Sequence, residues 1–137
     1  MREKGKPMDD QISFYEAKLR FEIDSWDLFV ALEKEEKVMV IDARSPEAYE
    51  REHIPHAANI PHRTMTEQST LHLDRSVTYV TYCDGIGCNA STKGALNMAK
   101  LGFTVRELIG GIEWWKRDGY ATEGTEGKEG QVVSCGC

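Results

Sequence analysis

Residues 79–92 read Tyr-Val-Thr-Tyr-Cys-Asp-Gly-Ile-Gly-Cys-Asn-Ala-Ser-Thr, a strand that runs into a thiol, a glycine-bearing loop and the start of a helix. Residues 77–82 are rich in β-branched and aromatic side chains, which is typical of a buried strand. We expect Gly85 and Gly87 to adopt positive φ angles and to turn backbone N–H groups toward Cys83. Three side chains are candidate caps for a helix over residues 90–101: Asn89, Ser91 and Thr92. Loop amides and a helix N-terminus favour a thiolate, so the segment predicts a reactive Cys83, and an inert buried cysteine is the alternative.

The bulk composition bounds the class of protein. A chain of 137 residues with 40% hydrophobic and 29% charged residues suits one globular domain. The formal charge of −6 disfavours nucleic acid and anionic membranes as partners. It leaves room for a small anion held by backbone amides. No apolar run approaches the length of a membrane span, and the first ten residues lack a signal-peptide core, so we expect a cytoplasmic protein with reduced thiols.

The remaining sequence divides into three parts. We predict a disordered N-terminus over residues 1–10, a globular domain with an N-terminal helix over residues 11–121, and a flexible Gly/Glu-rich tail over residues 122–137 that ends in Cys-Gly-Cys. Hydrophobic patterns predict strands at 38–42, 57–60, 77–82 and 105–108, and helices at 12–21, 26–36, 46–52, 90–101 and 112–117. The N-terminal helix is expected to pack on the domain. Alternating strands and helices favour a parallel sheet whose ligands bind beyond the carboxyl ends of its strands.

Four segments, in a fixed order and spacing, carry a resemblance to a known family. They are residues 40–49 (Val-Ile-Asp-Ala-Arg-Ser-Pro-Glu-Ala-Tyr), residues 53–61 (His-Ile-Pro-His-Ala-Ala-Asn-Ile-Pro), Tyr82-Cys83 with the loop that follows, and residues 110–115 (Gly-Gly-Ile-Glu-Trp-Trp). On these motifs the chain resembles a single-domain rhodanese-like protein from about residue 25 to residue 120. The resemblance implies an α/β fold of three layers, with a central parallel sheet of about five strands and helices on both faces.

The resemblance also implies a chemistry for the loop. Cys83 would take a sulfane sulfur from a donor as a persulfide and pass it to a thiol acceptor, either a small molecule or a protein, without a cofactor. The family's common loop is Cys, four residues, Arg, then Ser or Thr, whereas no basic residue lies between Cys83 and Ser91 here. A lost charged hydrogen bond is worth about 1.5–3 kcal/mol, so we expect a donor other than free thiosulfate. Lys93 and Ser91 are candidate anion contacts in place of the missing arginine.

Each site residue has a role and a simpler alternative. The active-site loop comprises Asp84, Gly85, Ile86, Gly87, Cys88 and Asn89. Cys88 is a candidate resolving thiol, or a small filler at the helix start. Near the site, Asp42 and Arg44 are interpreted as a structural ion pair. The alternative is a buried Asp42 carboxylate that ties loops together, with Arg44 paired to an acid such as Glu50. His53 is expected to orient a loop by hydrogen bonding.

The tail thiols Cys135 and Cys137 leave several interpretations open. They would relay sulfur or bind a soft metal, or they would simply lie in a disordered end. A zinc site built from Cys83, Cys88 and the tail matches no common ligand spacing, so no metal is predicted.

Three functions from different classes remain in competition. The leading hypothesis is a sulfurtransferase that carries a persulfide on Cys83. A thiol redox sensor using Cys83 and Cys88 is the second, and a non-catalytic binding module is the third. A phosphatase or arsenate reductase is disfavoured because the loop lacks an arginine for the oxyanion. The sequence does not specify the sulfur donor, the acceptor or the oligomeric state.

Overall fold

The computed structural model describes residues 7–131, which form a single layer of parallel strands between helices. The helices are α1 (Pro7–Phe21), α2 (Ser25–Glu33), α3 (Pro46–Arg51), α4 (Ala90–Lys100) and α5 (Gly111–Arg117), and the strands are β1 (Glu22–Ile23), β2 (Val38–Asp42), β3 (Ala58–Asn59), β4 (Thr78–Tyr82) and β5 (Thr104–Leu108). One 3₁₀ turn, His62–Thr64, follows β3. The predicted α/β fold with five parallel strands is confirmed.

The sheet has the strand order β1-β5-β4-β2-β3, and every pairing is parallel. β4 lies at its centre and pairs with β2 along its full length, from Val38 opposite Thr78 to Asp42 opposite Tyr82. Parallel central strands need apolar side chains on both faces, and the sequence of β2 and β4 supplies them. The carboxyl ends of β2 and β4 therefore lie side by side, which brings the two motifs that follow these strands together.

Two hydrophobic clusters cover the two faces of the sheet. One contains Val40, Val80 and Tyr82 and is closed by Trp115 and Tyr120. The other contains Ile41 and Tyr79 with residues of α4 and its surroundings, including Met98 and Phe103. Successive strand residues point to opposite faces, which is why neighbours such as Val40 and Ile41 fall in different clusters.

Two predictions for the N-terminal segment, its disorder up to residue 10 and the packing of its helix, are wrong. Helix α1 begins at Pro7, so residues 7–10 are helical, and the helix does not pack on the domain along its length. Its large apolar side chains remain at least half exposed: Met8, Ile12, Phe14, Tyr15, Leu19 and Phe21. They lie on two opposite sides of the helix, so one contact face does not cover them all. The short edge strand β1, directly after this helix, had no hydrophobic pattern to predict it.

Residues 122–131 fold back on the domain instead of forming a flexible tail. His53 and Glu123 exchange backbone hydrogen bonds of 2.8 and 2.9 Å, and the amide of Gln131 donates to the carbonyl of Gly119 at 2.7 Å. The amide of Thr125 donates to Glu50 at 3.1 Å. The segment is polar, yet its backbone groups find partners on α3 and beyond α5, and this pairing holds it in place. Within the described residues, no helix has the length and apolar character needed to span a membrane.

Candidate active site

Cys83 lies directly after β4, at the carboxyl end of the central strand, and only 1% of the residue is exposed. The first turn of α5 holds the backbone there. The amide of Ile112 donates to the carbonyl of Cys83 at 3.0 Å, and the amide of Glu113 donates to that of Asp84 at 2.8 Å. Gly111 adopts a φ of +61°, and a Cβ on it would collide with the carbonyl oxygen of Cys83. The Gly-Gly motif at the start of α5 therefore allows this helix to approach the backbone of Cys83 closely and to fix it in place.

Cys83 and Cys88 form a disulfide, with their Cα atoms 6.3 Å apart. The intervening loop turns back on itself, because the amide of Cys88 donates to the carbonyl of Gly85 at 3.1 Å. The expectation of reduced thiols is wrong for this pair, since the turn brings the two sulfurs within bonding reach. The disulfide is asymmetric: Cys83 is buried, whereas Cys88 is half-buried.

The loop between the two cysteines presents unused backbone donors. Within the described residues, the amides of residues 84–87 donate no hydrogen bond. Free backbone amides are donors that can stabilise a nearby negative charge. The loop glycines, however, do not have the predicted positive φ angles. Gly85 is constrained by packing instead, since its Cβ would lie 2.6 Å from a carboxylate oxygen of Glu113, while a Cβ on Gly87 would meet nothing within 4 Å.

A buried ion pair anchors the loop to β2. Arg44 donates to both carboxylate oxygens of Asp42, with Nη2–Oδ2 at 2.7 Å and Nε–Oδ1 at 3.0 Å. Its Nη1 reaches Asp84 at 3.0 Å, and its Nη2 also donates to the carbonyl of Glu52 at 2.6 Å. Burial opposes the charge on Arg44, but the hydrogen bonds and charge of Asp42 outweigh it and raise the pKa of the guanidinium. The structural ion pair is found, whereas the alternative pairing of Arg44 with Glu50 is wrong, because Asp42 and Asp84 occupy the guanidinium.

Tyr82 completes this network from the central strand. Its hydroxyl donates to Asp42 Oδ2 at 2.7 Å and accepts the amide of Ile54 at 3.1 Å. Burial, followed by the nearby charge of Asp42, raises the pKa of Tyr82 far above its usual value. The hydroxyl therefore stays protonated and acts as a fixed donor to a carboxylate that is fully buried.

The candidate anion contacts lie at the start of α4. The Ser91 hydroxyl donates to Glu107 at 2.6 Å, as does that of Thr92, so both hydroxyls are bonded to a carboxylate on β5. Asn89 occupies the N-cap position without a capping side-chain bond. Lys93 is exposed, and with Arg63 it helps burial to lower the pKa of His62. Lys93 therefore lies on the side of α4 that faces the 3₁₀ turn.

His53 is positioned away from acid–base chemistry on the loop. Its Nδ1 lies 2.7 Å from the carbonyl of Tyr49, and its ring stacks on that of Tyr49 with centroids 3.8 Å apart. Its Nε2 lies 3.6 Å from Glu123. These contacts join α3 to residues 122–131, in keeping with an orienting role.

Two acidic residues near the loop, Glu107 and Glu113, were not predicted from the sequence. Glu107 comes from β5, and Glu113 comes from the first turn of α5. The closing motif contained Glu113, but nothing in its spacing indicated contact with Gly85. A cleft of about 700 Å³ lies beside the loop. It is lined by loop residues 85–89, by the end of β5 and by Lys18 and Glu22 of the N-terminal segment.

The tail residues Cys135 and Cys137 lie outside the described part of the chain. Among residues 7–131, no group of three or more histidines, cysteines and acids is placed to hold a metal ion.

Comparisons with known proteins agree with the fold and the motifs. The model of the rhodanese-like domain family matches residues 25–118. The chain is 31% identical over 96 residues to the thiosulfate sulfurtransferase GlpE of Coxiella burnetii, a match that covers 69% of this chain and 82% of that protein. The crystal structure of the BH2092 protein of Bacillus halodurans is 39% identical, with 96% of each chain covered and a TM-score of 0.84. The rhodanese-like domain of the Alr3790 protein of Anabaena is 26% identical, with 83% of this chain and 92% of that chain covered and a TM-score of 0.69. The chain therefore belongs to the rhodanese-like domain family.

Proposed function

We propose that the protein transfers sulfane sulfur through a persulfide on Cys83 and that Cys88 resolves this persulfide to a disulfide. The observation that carries the proposal is the Cys83–Cys88 disulfide at the carboxyl end of the central strand, which closes a loop whose amides at residues 84–87 donate no hydrogen bond within the described residues. Those amides are suited to stabilise negative charge on sulfur. Membership of the family and similarity to a thiosulfate sulfurtransferase support a sulfur donor and a thiol acceptor as partners.

The loading step begins from the reduced protein. The Cys83 thiolate attacks the outer sulfur of a donor persulfide, a sulfur–sulfur bond forms on Cys83, and the donor leaves as a thiolate. An acceptor thiolate then takes the outer sulfur, and Cys83 leaves as a thiolate. In the resolving branch, the Cys88 thiolate attacks the sulfur of Cys83 itself, hydrosulfide leaves, and the disulfide forms. Each branch conserves electrons, and only the resolving branch requires a later reduction by thiols.

A persulfide donor suits the charge of the site better than free thiosulfate. The loop has no arginine, and the guanidinium of Arg44 is already bound to Asp42 and Asp84. Asp84 and Glu113 add carboxylates beside the loop. Thiosulfate would place its sulfonate, which is bonded directly to the transferred sulfur, against these carboxylates without a free cation on the loop to balance it, whereas the carboxylates of a thiol persulfide lie farther from the transferred sulfur. We therefore propose a protein or low-molecular-weight thiol persulfide as the donor.

Intact-mass spectrometry tests the proposal. The reduced wild type, Cys83→Ser and Cys88→Ser proteins are each incubated with glutathione persulfide and, separately, with thiosulfate. We expect one added sulfur atom on Cys88→Ser with the persulfide donor, conversion of the wild type to the disulfide with release of hydrosulfide, and no adduct on Cys83→Ser. A sulfur adduct that fragment ions place on residues 83–88 of Cys83→Ser would refute the proposal. So would the absence of both an adduct on Cys88→Ser and a disulfide in the wild type.

The redox sensor is the second candidate, because the same disulfide is its expected product. A sensor forms the disulfide with a peroxide, through a sulfenic acid on Cys83, and does not need a sulfur donor. Comparing the rate of disulfide formation with glutathione persulfide and with hydrogen peroxide at equal concentration distinguishes the two. A faster reaction with peroxide would favour the sensor.

A further inference from the structure

We propose that the cleft beside Cys88 admits the thiol that reduces the Cys83–Cys88 disulfide, and that its negative charge selects cationic and neutral thiols over anionic ones. The inference rests on the disulfide itself and goes beyond sulfur transfer, since the reduction is the same whichever oxidant or persulfide formed the bond.

The exposure of the two sulfurs decides where a reductant attacks. Cys83 is 1% exposed and does not line the cleft, whereas Cys88 is half-buried and lines it. Attack on Cys88 also makes Cys83 the leaving thiolate, and the free loop amides are suited to stabilise its negative charge. A thiolate RS⁻ would form the bond Cys88–S–S–R and break the bond to Cys83. A second thiol would then displace Cys88, giving RSSR and two protein thiols.

The cleft has the volume of a binding site for a small thiol. Its volume of about 700 Å³ lies within the range of ligand sites. One wall is the loop with Ile86, which is 74% exposed, and the opposite wall is the end of β5, including Leu108 and Ile109. An exposed isoleucine at the rim supplies apolar contact close to the sulfur.

The charges that line the cleft sum to a negative value. Lys18 and Glu22 form an ion pair of 2.6 Å and offset each other. Glu107 remains, and within residues 7–131 its carboxylate accepts hydrogen bonds only from the uncharged hydroxyls of Ser91 and Thr92. The guanidinium of nearby Arg106 donates to the carbonyls of Leu19 and Glu22 and is not part of the lining. An incoming anion is therefore repelled, while a cation is attracted.

A series of small thiols that differ in charge tests this selection. The oxidised full-length protein is reduced with cysteamine, 2-mercaptoethanol or 3-mercaptopropionate, which are cationic, neutral and anionic. Each rate is divided by the rate of the same thiol on bis(2-hydroxyethyl) disulfide, an uncharged reference. One net charge at a distance of 5–10 Å predicts a normalised advantage of about tenfold for cysteamine over 3-mercaptopropionate at low salt. High salt should reduce this ratio toward one.

Two further measurements complete the test. Acid quenching with fragment-ion mapping should locate the transient mixed disulfide on Cys88. The Glu107→Gln variant should lower the cysteamine advantage from about tenfold toward one, whereas the matched control Glu67→Gln, an exposed residue outside the cleft lining, should leave it unchanged. The salt dependence of the wild type provides the same test if Glu107→Gln does not fold. A mixed disulfide on Cys83, or equal normalised rates for the three thiols at low salt, would overturn the proposal.

Discussion

Replacing Tyr82 by Phe removes one oxygen from the buried network that joins β4 to β2 and to residue 54. The hydroxyl makes a 2.7 Å bond to the carboxylate of Asp42 and accepts the amide of Ile54 at 3.1 Å. A hydrogen bond to a charged group contributes about 1.5–3 kcal/mol, and an unpaired buried amide costs about 1–3 kcal/mol. We expect Tyr82→Phe to lower the free energy of unfolding by about 3–4 kcal/mol, a large share of a typical domain stability of about 5–15 kcal/mol.

Urea unfolding of the reduced protein, followed by far-UV circular dichroism, measures this loss as a lower midpoint at an unchanged slope. Tyr79→Phe is the matched control on the same strand. Tyr79 is equally buried, but its hydroxyl donates to the carbonyl of the exposed Asp74 at 2.8 Å. Losing this hydrogen bond should lower the free energy of unfolding by about 1 kcal/mol or less. Equal losses for the two variants would refute the reasoning that the Tyr82–Asp42 bond anchors the site.

Two further predictions concern the supports of the loop. Gly111→Ala places a Cβ against the carbonyl of Cys83 at a positive φ, so it should destabilise the domain by about 2–4 kcal/mol in urea unfolding. Gly87→Ala, with open space around its Cβ, should change stability by less than about 0.5 kcal/mol, and similar losses for both would contradict the close approach. Burial acts to raise the pKa of the Glu52 carboxyl, but hydrogen bonds from Lys116 and Thr122 outweigh burial and lower this pKa. A carboxyl whose pKa is lower in the folded protein stabilises the fold at pH values above its pKa in the unfolded chain. This stabilisation is lost as the pH falls through its pKa in the folded protein. Glu52→Gln should therefore cost about 1 kcal/mol at pH 7, and this difference should shrink below pH 4.5; a difference independent of pH would contradict the account.

The sequence predicted the parts of the fold that hydrophobic pattern and turn residues encode. The apolar residues of β2 and β4 indicated central parallel strands, and Gly102 after α4 and the Gly-Gly pair before α5 indicated where helices end and begin. The two-residue strands β1 and β3 are set by pairing with their neighbours. A pair of residues carries no period, so β1 was missed.

The site was predictable in its sequence-local parts and not in its long-range contacts. Cys83 and its loop follow one strand, so their place at the sheet edge follows from local sequence. The pairing of Arg44 with Asp84 depends on how two segments forty residues apart meet, and the sequence suggested only an acid close to Arg44 along the chain, Glu50. The folding of residues 122–131 onto α3 depends on backbone hydrogen bonds, which composition does not specify.

The central claim, that Cys83 carries sulfur and Cys88 releases it, is tested most directly by following both products in one reaction. The reduced wild type and Cys88→Ser proteins are mixed with equimolar glutathione persulfide, and hydrosulfide and intact mass are recorded over time. We expect one hydrosulfide for each disulfide formed by the wild type, and a lasting adduct of one sulfur atom on Cys88→Ser with little hydrosulfide. Disulfide formation without hydrosulfide release, or a Cys88→Ser protein that gains no sulfur, would contradict the claim.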